Sequence, residues 1–137
     1  MTRSAVDTSV IVPALLESHT DHERCRVAAS GAAVPAHALV EAYSVLTRLP
    51  PPHRLHPDVA HELLRRWFPA DAVLVVPAVV QRSVVDLLHR AGISAGATFD
   101  GLVALTASRH DVVLVSRDVR AARTYDALGA AFNLLDD

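Results

Sequence analysis

Val112-Val113-Leu114-Val115-Ser116-Arg117-Asp118 is the stretch of this 137-residue chain that decides the fold. Four consecutive apolar residues without alternation read as a strand covered on both faces, the habit of parallel sheets. Behind it, residues 119–128 read as a helix closed by Gly129, and residues 131–135 as a further strand.

Toward the N-terminus the same alternation returns. Residues 4–7 read as a short buried strand, 8–16 and 21–30 as helices, the second closed by Gly31. A brief strand at 32–34 precedes a helix over 36–48, on which Leu39, Ala42, Tyr43 and Leu46 recur at helical spacing. Pro50-Pro51-Pro52 breaks that helix and implies a stiff, extended connection. Pro57 opens the next helix, with Val59, Leu63 and Trp67 four residues apart. Residues 72–76 are strand-like, a helix runs from Pro77 to Arg90 and ends at Gly92, and Thr98 caps another reaching about Arg109. The expectation is one α/β domain over residues 1–137, with a mainly parallel central sheet of about five strands flanked by helices on both faces.

Composition narrows the chemistry. Hydrophobic residues make up 51% but aromatics only 4%, so the core is built of Ala, Val and Leu. A net charge of −2 excludes a global basic field for nucleic acid. All 13 basic residues are arginine, so no lysine serves as nucleophile, Schiff base or phosphate clamp. A lone Cys25 excludes an internal disulfide and a zinc–thiolate cage. No signal-peptide order is present, and the longest apolar run, residues 72–80, is too short for a bilayer, so a soluble cytoplasmic protein without a membrane role is expected. His19 and His22, like His53 and His56, are three apart but lie in loops without a third ligand, and read as surface. P-loop, GxGxxG, GxSxG and CxxC patterns are missing from the sequence.

Four acids stand where a solubilising charge is not needed: Asp7 after the first strand, Glu41 within Leu39-Val40-Glu41-Ala42-Tyr43, Asp100 within Phe99-Asp100-Gly101-Leu102, and Asp118 after the decisive strand. Carboxyl ends of parallel strands line a shared crevice where ligands bind. Converging carboxylates resist ionisation unless a cation neutralises them, and hard oxygen donors suit magnesium or manganese. Each aspartate has helix capping as its competing account. On neighbouring strands, a shared metal site accounts for Asp7 and Asp118 together. Gly101 leaves room beside Asp100 for a ligand or for close packing. Glu41 among apolar neighbours needs a partner, either an arginine such as Arg48 or Arg109, or a metal and its water. Thr8, Ser9 and Ser116 are placed to orient carboxylates or metal-bound water, or else to cap. Arg117, Arg120 and Arg123 recur at helical spacing, as a phosphate-holding stripe or a solvated face.

Four stretches together resemble the PIN-domain ribonucleases, specifically VapC-type toxins of toxin–antitoxin pairs: Val6-Asp7-Thr8-Ser9-Val10, Glu41-Ala42-Tyr43-Ser44-Val45-Leu46-Thr47-Arg48, Thr98-Phe99-Asp100-Gly101-Leu102-Val103-Ala104 and Leu114-Val115-Ser116-Arg117-Asp118. The run Leu49-Pro50-Pro51-Pro52-His53-Arg54-Leu55 is similar to one subgroup of these toxins. The resemblance implies a single PIN-like domain and a metal-dependent endoribonuclease that cuts structured RNA, often tRNA or rRNA, and so inhibits translation. Asp7, Glu41, Asp100 and Asp118 would hold Mg²⁺, or Mn²⁺ in its place, with Thr8, Ser9 and Ser116 in support and Arg117 and Arg120 toward RNA. It further implies a homodimer, a cognate VapB-like antitoxin entering the groove, and DNA contact only through that antitoxin. Phe99 and Gly101 stand where Tyr and Ala are frequent in the family, and Ser116 where threonine is; neither change removes a ligand. The rivals are an RNA-processing PIN nuclease without a toxin role, a PIN-like subunit without catalysis, and a phospho-receiver domain. The receiver would need an acidic pair after its first strand and a late lysine, and this chain has neither.

Overall fold

The computed structural model describes residues 3–135; the outermost two residues at each end of the expected 1–137 domain lie outside it. Strands β1 (Ser4–Val6), β4 (Val113–Ser116) and β5 (Phe132–Leu134) form one parallel ladder in the order β1-β4-β5. Strands β2 (Val34–Pro35) and β3 (Val73–Leu74) form a second parallel pair. A parallel bridge between Ala5 and Ala33 joins the two. There the Val6 N–H donates to Ala33 O at 3.0 Å and the Ala33 N–H to Ser4 O at 2.9 Å. The full order is therefore β3-β2-β1-β4-β5, and the chain changes direction between β1 and β4. That is the topological switch point, where the carboxyl ends of the strands open a crevice.

Seven helices connect the strands: α1 (Thr8–Ala14), α2 (His22–Ala29), α3 (Ala36–Arg48), α4 (Pro57–Trp67), α5 (Ala78–Ala91), α6 (Ala97–Arg109) and α7 (Val119–Ala127). Right-handed crossovers put the connections of β1 to β3 on one face and those leading to β4 and β5 on the other. Accordingly α1 packs on α2 and α3, while α6 packs on α5 and α7. Small residues allow the close approach. Ala38, Ala42 and Leu46 form the buried line of α3, and Ala104 and Ala107 that of α6. With Ala5, Val6, Ile11, Val34 and Leu114 of the sheet and α1, they make the Ala–Val–Leu core that composition implied.

Local chemistry explains most boundaries. Pro57 takes the first position of α4, and the His56 side chain accepts from the Asp58 N–H. Gly92 closes α5 with φ +70°, in the left-handed region where a Cβ is disfavoured.

Several expectations are corrected. Pro50-Pro51-Pro52 does not extend but turns: the His53 N–H donates to Pro50 O, and the Leu55 N–H returns to Leu46 O at the end of α3. Thr98 is not a cap, because α6 begins at Ala97 with Gly96 before it. The third strand is only two residues long, since residues 70–72 form a 3₁₀ turn and Val75 is exposed. On α4 the buried line is Ala60 and Leu64; Val59 faces solvent, because an exact four-residue repeat drifts around the helix. Tyr43 is likewise exposed, and α1 stops two residues before Leu16.

Gly101 serves close packing: a Cβ there would run into the Leu88 side chain of α5, which is buried. Gly101→Ala should therefore lower stability in urea denaturation by about 1 kcal/mol, overpacking of roughly 1–3 kcal/mol outweighing a helix-propensity gain of about 1 kcal/mol. A stabilised variant would mean that Leu88 yields freely.

Candidate active site

All four sequence-predicted acids line one cleft of about 190 Å³ at the switch point, together with Thr8, Ser9, Val103, Ala121 and Tyr125. Asp7 follows β1, Glu41 projects from α3, Asp100 from the first turn of α6, and Asp118 precedes α7. Four different elements thus bring one carboxylate each.

Capping and site chemistry coexist in Asp7 and Asp118. The Asp7 carboxylate accepts from the Ser9 N–H at 3.0 Å and so caps α1. The same Oδ1 takes the Ser9 hydroxyl proton at 2.5 Å, while Oδ2 accepts from the Tyr125 hydroxyl at 2.8 Å. Asp118 Oδ1 accepts from the N–H groups of Arg120 and Ala121, at 2.9 and 3.3 Å, and caps α7.

A chain of hydroxyls joins the two. Ser9 Oγ and Ser116 Oγ are 3.3 Å apart, and Ser116 Oγ accepts from the Asp118 N–H at 3.0 Å. Ser9 gives its hydroxyl proton to Asp7, and the Ser116 hydroxyl stands beside both Ser9 Oγ and the Asp7 carboxylate. The Arg117 N–H supplies a further donor to Ser9 Oγ at 2.8 Å. Ser116 is fully buried, and this network fixes the loop after β4 against the start of α1.

Burial is the main cause of the perturbed acidities. Asp7, only 4% exposed, has its carboxyl raised by desolvation, which the hydroxyls of Ser116, Ser9 and Tyr125 and the Ser9 amide oppose. Asp100 is pushed up to about 6, by burial first and then by the charges of Asp118, Glu41 and Asp7. Desolvation and the Asp7 charge raise the Tyr125 phenol, keeping it a proton donor. The cleft therefore holds more negative charge than its surroundings balance.

Other placements differ from expectation. Glu41 is partly exposed and pairs with His37 Nε2 at 3.2 Å. Neither arginine expected as its partner, Arg48 or Arg109, pairs with it among the described residues, and Arg48 donates instead to Ser44 Oγ at 3.0 Å. Glu41's neighbour Val40 faces solvent, so the apolar run around Glu41 was not a buried environment. Thr8 lines the cleft but donates to Ala38 O at 3.5 Å, which ties α1 to α3. Arg117 is a brace: its guanidinium donates to Ser9 O at 3.1 Å and pairs with Asp21 just before α2. Pro13 has no N–H to give Ser9 O, which leaves that carbonyl open to Arg117. Arg120 and Arg123 are exposed. His22 and His19 fasten loops, to Pro13 O and the Asp21 N–H respectively.

Sequence reasoning missed Tyr125, which is 1% exposed yet ends on Asp7. The signal was available: Tyr125 lies two turns beyond Asp118 on the Ala121-Ala122 face of α7, and a buried tyrosine hydroxyl needs a partner. Among the described residues, no three His, Cys, Asp or Glu side chains stand close enough, as oriented, to hold a metal ion. No helix among them is long and apolar enough to cross a membrane.

Comparison with known proteins agrees with this architecture. A family profile described as "PIN domain" matches residues 5–127. Ribonuclease VapC40 of Mycobacterium tuberculosis (strain ATCC 25618 / H37Rv) is 40% identical over 132 residues, covering 96% of this chain and 98% of that protein. Ribonuclease VapC27 of the same strain is 42% identical over 127 residues, 91% of each chain. The crystal structure of VapBC2 from Rickettsia felis, bound to a DNA fragment from their promoter, matches with a TM-score of 0.66 at 13% identity, over 98% of this chain and 100% of that chain. At that identity the likeness concerns the fold.

Two outcomes test the site. Tyr125→Phe should cost about 1.5–3 kcal/mol in chemical denaturation at pH 7, the range for a hydrogen bond to a charged group. An unchanged midpoint would show that the Asp7–Tyr125 contact carries no weight. In chelator, the raised Asp100 carboxyl means that the folded state binds more protons than the unfolded one between pH 3.8 and about 6. Stability should thus fall as pH rises through about 6, and Asp100→Asn should flatten that fall in melting curves taken from pH 4.5 to 7.5. An equally steep fall in the variant would reject the assignment.

Proposed function

From the premise that this chain belongs to the PIN-domain family, as one of its VapC-type ribonucleases, we propose that the acid cleft cuts phosphodiester bonds within RNA and that the protein is the toxin of a toxin–antitoxin pair. The observation that carries this is the meeting of Asp7, Glu41, Asp100 and Asp118, from four elements, in one cleft at the switch point. Relatives 40% and 42% identical over nearly the whole chain are named ribonucleases.

The donor set fits a divalent cation. Every candidate ligand is a carboxylate, and beyond the effect of burial the charges of Asp118, Glu41 and Asp7 push the Asp100 carboxyl up further, as unneutralised like charge does. Asp7, Asp100 and Asp118, with Glu41 directly or through water, would hold Mg²⁺, with Mn²⁺ as a substitute. Bound there, the ion supplies an activated water and offsets charge on the scissile phosphate.

The protein's own groups prepare that chemistry. Ser9 and Tyr125 donate to the two oxygens of Asp7 and so hold this carboxylate in one orientation. Ser116 fixes the backbone at Asp118, and Thr8 holds α1 against the helix that carries Glu41. Arg120, exposed beside Asp118, is placed for a phosphate of the RNA. Arg117 is left out of that role, because its guanidinium is committed to Asp21 and Ser9 O.

The substrate is structured RNA such as tRNA or rRNA, whose loss stops translation in the cytoplasm, and the whole chain, 1–137, acts as one PIN domain in a homodimer. A VapB-like antitoxin restrains it, a reading supported by the likeness to the VapBC2 structure bound to promoter DNA, and DNA is reached only through that partner.

Asp7→Asn tests the site cleanly, because asparagine still caps α1 while removing the charge. RNA cleavage and growth arrest on expression should fall by more than about a hundredfold, and excess chelator should do the same to the unaltered protein. Cleavage at full rate in either case would refute the carboxylate–metal site.

A further inference from the structure

Beside the acid cleft lies an aromatic pair that catalysis does not use. The rings of His37 and Phe99 stack with centroids 4.9 Å apart and planes 4° from parallel. His37 precedes Glu41 by one turn of α3, and Phe99 directly precedes Asp100 on α6, so each ring neighbours a catalytic acid. Phe99 is nonetheless 52% exposed, more than a ring filling a core would be. Its surroundings form a second hollow, lined by Val40, Ser44 and Gly96 and sharing Glu41 and Asp100 with the acid cleft. Arg48 donates to Ser44 Oγ, one of the lining residues, and has no carboxylate partner among the described residues.

Resting on the ribonuclease reading above, we propose that Phe99, backed by His37, is the stacking platform for an unpaired nucleobase of the RNA whose phosphate lies at Asp100 and Glu41. The base of a nucleotide sits one sugar away from its phosphate, and the two hollows are joined through these two acids. A neutral ring suits the place electrically. The acids repel the RNA backbone, the chain has no lysine and Arg117 is committed elsewhere, so stacking adds affinity that does not depend on charge. Parallel backing by His37 holds the ring at a fixed angle, and Glu41 holds His37 at 3.2 Å. The site therefore favours unstacked bases in loops, where a face is free for an aromatic side chain. Arg48 would take the next phosphate along the strand.

The test measures binding of a labelled ten-nucleotide RNA of mixed sequence, and of the same ribose–phosphate chain without bases, to the Asp7→Asn protein in magnesium. Phe99→Ala in that background should weaken binding of the base-carrying RNA by about ten- to a hundredfold, leave the baseless chain unchanged, and be rescued by Phe99→Trp. Equal affinity of Phe99→Ala for the base-carrying RNA, equal losses on both probes, or no binding of either probe would overturn the proposal. So would a Phe99→Ala protein that cuts RNA normally but loses only a protein partner. Phe99-dependent binding without cleavage by the unaltered protein would instead sink the ribonuclease reading alone.

Discussion

Taking a carboxylate out of water is costly unless donors replace the lost solvent, and at Asp7 the Ser9 amide and the hydroxyls of Ser9, Ser116 and Tyr125 do so. The Ser9 amide and hydroxyl are local, whereas the Tyr125 hydroxyl arrives from α7, 118 residues away. Because Tyr125 is itself buried, α7 cannot shift without stranding two polar groups at once. The first strand, the first helix and the last helix are therefore held to one geometry. The cleft is what that geometry leaves open.

A second fastening depends on a residue that would normally weaken a helix. Pro13 inside α1 removes the donor that Ser9 O would have received. Arg117 fills the gap and reaches on to Asp21, so the loop bearing Asp118 is clamped between α1 and α2. With the Ser9–Ser116 bridge, two of the four acids gain fixed backbones before any substrate arrives. Asp100 and Glu41 stand on helices with fewer local ties, and the Asp100 carboxyl is pushed up to about 6, by burial first and then by the charges of Asp118, Glu41 and Asp7. Perturbed carboxyls in a cleft cluster at functional sites.

Capping a helix and lining the cleft proved to be compatible rather than competing. A parallel strand that ends at the site hands over directly to a helix, and the residue at that junction both caps the helix and faces the crevice. Asp7 and Asp118 do both with one carboxylate each. Gly101 settles the other way: the room beside Asp100 is taken by Leu88 and not left for a ligand.

Much was legible along the chain, because it was written in local terms. The apolar run before Asp118 marked a covered parallel strand, glycine marked the end of α5, and proline the start of α4. The four acids could be picked out because each interrupts or ends an apolar run where solvation gives no reason for charge. The short third strand, the turn at Pro50 and the exposure of Tyr43 were hidden, since period and composition do not say which neighbours cover a face. Tyr125 as a partner of Asp7, Arg117 as a brace to Asp21 and Ser9, and His37 rather than arginine beside Glu41 were decided only by packing. Sequence by itself determined which residues carry charge, the helix ends that Pro57 and Gly92 mark, and that the sheet is parallel. Tertiary structure decided who meets whom, because a hydrogen bond or ion pair depends on distances set by the crossing of strands and helices far apart in the chain.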